Sequence, residues 1–338
     1  LDIGEWYSIP GTTGLDDIPG EPVQAWTKTH AWNSFALDTG RSTMINVAVG
    51  GHSDYSGNEV DKTELERNTP RLYESLARSA SIAACVQYNT DGRLCARHTY
   101  YGHHFNEFDD RIMLLGGSWF CGDGTPLLVN IDSYNIGANS YNPEATHPDM
   151  ASGYAVPDLA MCADPFTGDV YALNFGNVSN NPSRWTRSSN TWNSLNSTGA
   201  SKPHASTTGA SAFDTKRNRI FTVGSDAHHL YDLAGNSWTA PTITGAAAAA
   251  VQAIPAGGMV YVEPLDLYFI RDDLVGQTIY QITADTFVAT TYSTTGVSPV
   301  VGSANAGLYN KFLYVPRLGG MVYIPSWEDD MYFLKVAD

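Results

Sequence analysis

The chain has 338 residues and a formal net charge of −16, with 43% hydrophobic and only 16% charged residues. That balance supports a large core, but so acidic a molecule repels a nucleic-acid backbone or an anionic membrane, so neither nucleic acid nor membrane insertion is expected. No run of eighteen apolar residues occurs, and the blandest stretch, the Ala-rich segment 245–254, is too short for a helix to cross a bilayer.

Residues 1–10, LDIGEWYSIP, read as a short alternating strand centred on Trp6 that runs out into a Gly- and Pro-rich loop. An inner strand then begins near Trp32 (WNSFALD). It is followed by an apolar run, residues 44–49, that ends at Gly50-Gly51 and opens into the polar turn of residues 50–60, GGHSDYSGNEV. The same pattern returns at residues 111–117, RIMLLGG, and more weakly at 218–224 and 257–262. A strand meeting a glycine pair marks a place where backbones approach so closely that a Cβ would not fit.

Further inner strands start near His98, Leu159, Ala210, Gly258 and Phe312, which makes six starts spaced 48 to 66 residues apart. Four run into acidic or Gly-containing turns, at 38–41, 109–110, 164–168 and 214–217, as hairpins require. Trp-bearing segments at 190–195 and 236–241 close their units as outer strands, and Tyr73 stands in for Trp in the first unit. A period near 50 with four strands per unit predicts an all-β chain folded as a six-bladed β-propeller, seven blades being the alternative, in a single domain spanning 1–338. After Phe312 the last unit supplies only three strands. Leu1 to Pro10 are then expected to provide the fourth, closing the ring and hiding a sheet edge.

Four cysteines occur: Cys85, Cys95, Cys121 and Cys162. The turn signal Asn89-Thr-Asp-Gly92 folds its flanks into a hairpin, which predicts a Cys85–Cys95 disulfide and leaves Cys121 to pair with Cys162. Four reduced, buried thiols are the alternative. No C-x2-C spacing supports a metal. A chain start at Leu1 reads as a processed or trimmed polypeptide, and with paired cysteines it points to an extracellular setting: secreted, on a cell surface or on a virion.

The Gly-Gly strand ends, the aromatic positions after them and the Trp strands resemble kelch repeats. In particular, GGHSDYSGNEV and RHTYYGHHFNEFDDRIMLLGG are similar to secreted and phage-encoded bacterial kelch-like propellers. The resemblance spans nearly the whole chain. It implies the propeller fold and leaves activity open, because kelch propellers include oxidases, polysaccharide lyases and pure binding modules.

Polar residues gather in the first two units. His52, Asp54, Tyr55 and Asn58 surround one turn, and Arg97, His98, Tyr100 and His103 follow one another along one segment. Inner strands converge on a propeller axis, so these residues, with Trp32 and Lys311, are expected around one mouth of the axial channel. One function is a propeller whose loops at that mouth bind a glycan or protein, using some of its eight Trp and nineteen Tyr as stacking faces. The other is a lyase resembling the ulvan lyases: Arg97 would neutralise a uronate carboxylate while His98 and Tyr100 move the C5 proton and the leaving-group proton. The same residues can equally be structural, with His52 and Asp54 bonding turn backbone and Asn58 tying blades together. A copper oxidase of the galactose-oxidase kind needs a Cys crosslinked to Tyr, and no Cys here has that context, so a lyase is the preferred enzyme reading. No cofactor is expected beyond a structural calcium ion held by an acidic pair such as Asp16-Asp17, Asp109-Asp110 or Asp329-Asp330, none of which has an EF-hand pattern.

Overall fold

The computed structural model describes residues 1–13, 33–50, 55–121, 130–150, 160–173, 181–199, 209–224, 228–254, 257–272, 278–300, 307–326 and 328–338. The chain opens with β1 (Glu5–Ile9). The first blade is β2 (Ala36–Asp38), β3 (Thr43–Val47), β4 (Val60–Glu64) and β5 (Leu72–Leu76). Next come β6 (Arg97–His98), β7 (His103–Asn106), β8 (Arg111–Leu115), β9 (Ser118–Trp119), β10 (Ile131–Asn135) and β11 (Ser140–Tyr141). Of these, β7, β8, β10 and β11 form the second blade, while β6 and β9 pair with each other beside it.

The third blade is β12 (Ala160–Ala163), β13 (Val170–Leu173), β14 (Ser183–Thr186) and β15 (Thr191–Ser194). The fourth is β16 (Gly209–Asp214), β17 (Arg219–Gly224), β18 (His228–Asp232) and β19 (Ser237–Thr239). A short helix, α1 (Ala248–Gln252), precedes the fifth blade of β20 (Gly258–Val262), β21 (Leu267–Arg271), β22 (Ile279–Thr283) and β23 (Ala289–Tyr292). The sixth combines β24 (Thr295–Gly296), β25 (Phe312–Val315), β26 (Gly320–Tyr323) and β27 (Met331–Lys335) with β1. The six blades make a β-propeller, as the repeat spacing predicts.

Two-residue alternation explains why each blade packs on both neighbours. In β13, Val170 and Ala172 face the second blade while Tyr171 and Leu173 face the fourth. Six apolar clusters result, one in each seam between consecutive blades. The ring closes through β1, which pairs antiparallel with β27 from Trp6 opposite Leu334 to Ile9 opposite Met331, and β24 adds a parallel strand outside it.

The glycine pairs have the expected cause. Gly50 (φ 149°) and Gly117 (φ 95°) sit where a Cβ would collide with the Tyr55 and His98 carbonyl oxygens. Gly258 differs from the other copies. It opens an inner strand, β20, rather than ending a second strand, and its missing Cβ makes room for Leu308 and Phe312 of the sixth blade.

The cysteine pairing differs from expectation. The Asn89–Gly92 hairpin does form, but its register places Cys95 N–H on the Gln87 carbonyl and Tyr88 opposite Leu94, so Cys85 lies beyond reach of Cys95. Cys85 N–H instead bonds to the Phe120 carbonyl, and the disulfide joins Cys85 to Cys121. Cys95 and Cys162 are free, buried thiols, each with its pKa pushed up by burial.

Candidate binding site

Antiparallel blades have two ends. At one, hairpin turns join the first strand to the second and the third to the fourth; at the other, longer connectors pass from blade to blade. Charged residues at the hairpin end tie neighbouring blades. Arg41 bonds to Asp38 and across to Asp110 (2.6 Å), Arg187 to Asp109 (3.0 Å), and Arg317 to Glu66 (2.7 Å). Arg217 meets Asp214 of its own blade (3.1 Å) and grips Asp266 of the next through two 2.7 Å bonds, holding that carboxyl well below the usual carboxylate range.

The connector end holds the residues singled out from sequence, and there they are interior. Arg97 is 0% exposed and bonds to Asp132 (2.8 Å), whose carboxylate also accepts from Tyr88 and Gln87. His98 is also 0% exposed, with its ring edge-on to Tyr100 at 6.0 Å. Tyr100 meets Tyr309 at 5.6 Å, and Tyr101 meets Tyr309 at 4.9 Å. Tyr101 Oη donates to the Gly257 carbonyl (2.9 Å), crossing the axis from the connector into the second blade to the one entering the fifth. Asn310 Nδ2 donates to the Tyr101 and His103 carbonyls (3.3 and 3.0 Å), fastening the sixth blade to the same plug. Tyr100 and Tyr309 both have φ near 45°, a strained conformation for bulky residues that persists only where surrounding contacts fix it.

The rings of His98, Tyr100 and Tyr309 meet in series and close the channel instead of lining an open mouth. The burial of Arg97 and His98 leaves a polymer no route to them in this structure. Tyr55 is buried and donates to Glu59 (2.5 Å). Asn58, also buried, donates to Ser79 Oγ and the Leu94 carbonyl, while its own carbonyl accepts from Tyr141 of the second blade. His103 is 1% exposed with Nδ1 on the Ser34 carbonyl, and burial lowers its pKa to about 4. Lys311 is buried. Trp32, His52 and Asp54 lie outside the described residues, as do Asp16 and Asp17. Among the described residues no three His, Cys, Asp or Glu side chains are grouped to hold a metal ion. Asp109 and Asp110 are taken up by arginines, and Asp330 accepts from Thr12 N–H.

The hairpin end is the open one. A funnel of about 300 Å³ runs into the axis there, with His103, His104 and Asn310 at its base. His104 Nε2 is enclosed without a partner among the described residues, and burial lowers that histidine's pKa to about 3, so the ring stays neutral. Each inner strand contributes one residue at the same register, seven positions ahead of its partner on the second strand: Leu37, Phe105, Ala163, Phe213, Tyr261 and Tyr314. All six line the funnel. Phe213, Tyr261 and Tyr314 also line a second cleft of about 480 Å³ along the rim, together with Thr215, Lys216 and Glu263. Phe108 and Phe166, 44% and 58% exposed, extend the aromatic rim. Burial raises the pKa of Tyr261 and Tyr314, so both phenols remain hydrogen-bond donors.

One further constellation escaped the sequence reading because its members are far apart in the chain. Ser133 Oγ donates to His147 Nε2 (2.8 Å), and His147 Nδ1 donates to Asn190 Oδ1 (3.1 Å), the order of a nucleophile, base and orienting group. Ser133 is 1% exposed and its Oγ also accepts from Asn142, so the line acts as a polar tie between the second and third blades.

No protein-family model matches the chain, and no curated protein matches it significantly. The fold and the geometry of the funnel therefore define it as a six-bladed β-propeller with one stoppered and one open axial mouth.

Proposed function

We propose that the chain is a glycan-binding propeller, of kelch-like kind, working outside the cell or on a virion surface. The carrying observation is the funnel at the hairpin end. Phe213, Tyr261 and Tyr314 give it apolar faces, and Thr215, Glu263 and Lys216 set polar groups beside them. Sugar recognition uses this combination, in which a ring stacks on an aromatic face while its hydroxyls bond to neighbouring groups. Volumes of about 300 and 480 Å³ suit one or a few sugar units better than a protein surface, which needs a broad interface. The disulfide Cys85–Cys121 is consistent with an oxidising location.

Screening neutral and uronate-containing glycans on an array, followed by calorimetric titration of the hits, tests this reading. Tyr314→Ala should weaken binding at least tenfold while Tyr314→Phe retains most of it, since stacking carries the contact. Binding of a protein partner but of no glycan, or binding indifferent to Tyr314→Ala, would overturn it.

A further inference from the structure

Arg271 ends β21, and alternation turns it, with Phe269, toward the sixth blade. Its side chain is 0% exposed. The guanidinium lies 3.9 Å from the centre of the Tyr323 ring and 5.5 Å from that of Trp6. Among the described residues nothing accepts a hydrogen bond from Nε, Nη1 or Nη2, and the buried Trp6 Nε1 likewise has no acceptor. Arg97 supplies the contrast: it is equally buried, but Asp132 meets it at 2.8 Å. A guanidinium cannot shed its proton in a protein. Aromatic faces stabilise a cation by far less than removal from water costs it.

We propose that Arg271 and Trp6 form a buried anion site in the seam between the fifth and sixth blades, holding a monatomic halide. The four nitrogens left over are all donors, so the missing group is an acceptor, and the guanidinium charge calls for a negative one. Trp6 is 2% exposed, so the seam is shut and the ion is small enough to be enclosed as the ring closes. Because β1 carries Trp6, the ion sits where β1 joins the sixth blade.

The test is urea unfolding of the full chain with chloride or bromide replacing gluconate at constant ionic strength. Above the dissociation constant, the folded-to-unfolded ratio should rise tenfold for each tenfold increase in halide, the slope of one ion bound only to the folded state. Arg271→Met should abolish that slope. Crystals grown in bromide should show an anomalous peak beside Arg271. Halide-independent stability of the wild type, an undiminished slope in Arg271→Met, or a seam without bromide would each overturn the proposal. If Arg271→Met does not fold, the wild-type slope and the bromide peak decide by themselves.

Discussion

Trp6 is the side chain through which the ring closes, and Trp6→Ala measures that closure. The indole is 2% exposed, packs among Val260, Phe269, Met321 and Leu334, meets Tyr323 edge-on at 6.4 Å, and covers one side of the Arg271 guanidinium. Truncating a buried Trp costs about 3–5 kcal/mol. Losing one of the two rings over Arg271 adds about 1 kcal/mol, so we expect a loss of roughly 5 kcal/mol. At about 2.1 cal/mol/K per residue, 338 residues unfold with about 0.7 kcal/mol/K, so the melting temperature should fall by roughly 7 °C. Urea titration followed by far-UV circular dichroism reads the free energy directly, and the slope with denaturant should stay as in the wild type. Trp192, in the outer strand β15, is only partly buried, and Trp192→Ala serves as the comparison, with an expected cost of about 1–2 kcal/mol. If Trp6→Ala costs no more than Trp192→Ala, β1 is an accessory strand and the closure argument fails.

Thiol titration should find no reactive cysteine in the native protein, two after denaturation without reductant (Cys95 and Cys162), and four after reduction. Any other count contradicts the Cys85–Cys121 bridge. Replacing Cys85 and Cys121 together by Ser should cost about 4 kcal/mol, the loop entropy of a 36-residue separation, read by urea unfolding. His103 has a folded pKa of about 4 against 6.5, so the unfolded chain takes up its proton first as pH falls. The stability this provides is complete above pH 6.5 and lost between there and about pH 4, at up to about 1.4 kcal/mol per pH unit. His103→Gln should flatten the decline between pH 7 and 5, and equal slopes would show that this ring is not what titrates. Uronate polymers should give no unsaturated product, since Arg97 and His98 have no solvent contact; turnover abolished by His98→Ala would contradict that.

The blades were legible because each is written locally: an inner strand, a turn, a glycine-ended strand and an aromatic outer strand recur within about 50 residues. Even the closing strand could be read, from Trp6 at one end and three strands at the other. Cys85 could not be placed, because its partner depends on β9 leaving the second blade to pair with β6, a contact between distant segments. The open mouth was missed for a related reason. Polar residues such as His98 attract attention as chemistry, but two tyrosines in left-handed conformations and a bond from Tyr101 to Gly257 decide which end is stoppered. The funnel residues did leave a signal. Aligning the repeats on their inner strands puts Phe105, Phe213, Tyr261 and Tyr314 in one column, an aromatic position that packing within a blade does not require.

The pairing of β1 with β27 also sets a timetable for synthesis. Met331 is made 322 residues after its partner Ile9, roughly 15 to 65 s later at ordinary elongation rates. Through that interval Trp6 has no seam to enter and the growing row of blades ends in a bare edge. A nascent chain in this condition is exposed to edge-to-edge association with its neighbours on the same message. Slowing translation between Ile9 and Met331 should therefore lower the yield of folded protein more than an equal delay placed ahead of Ile9.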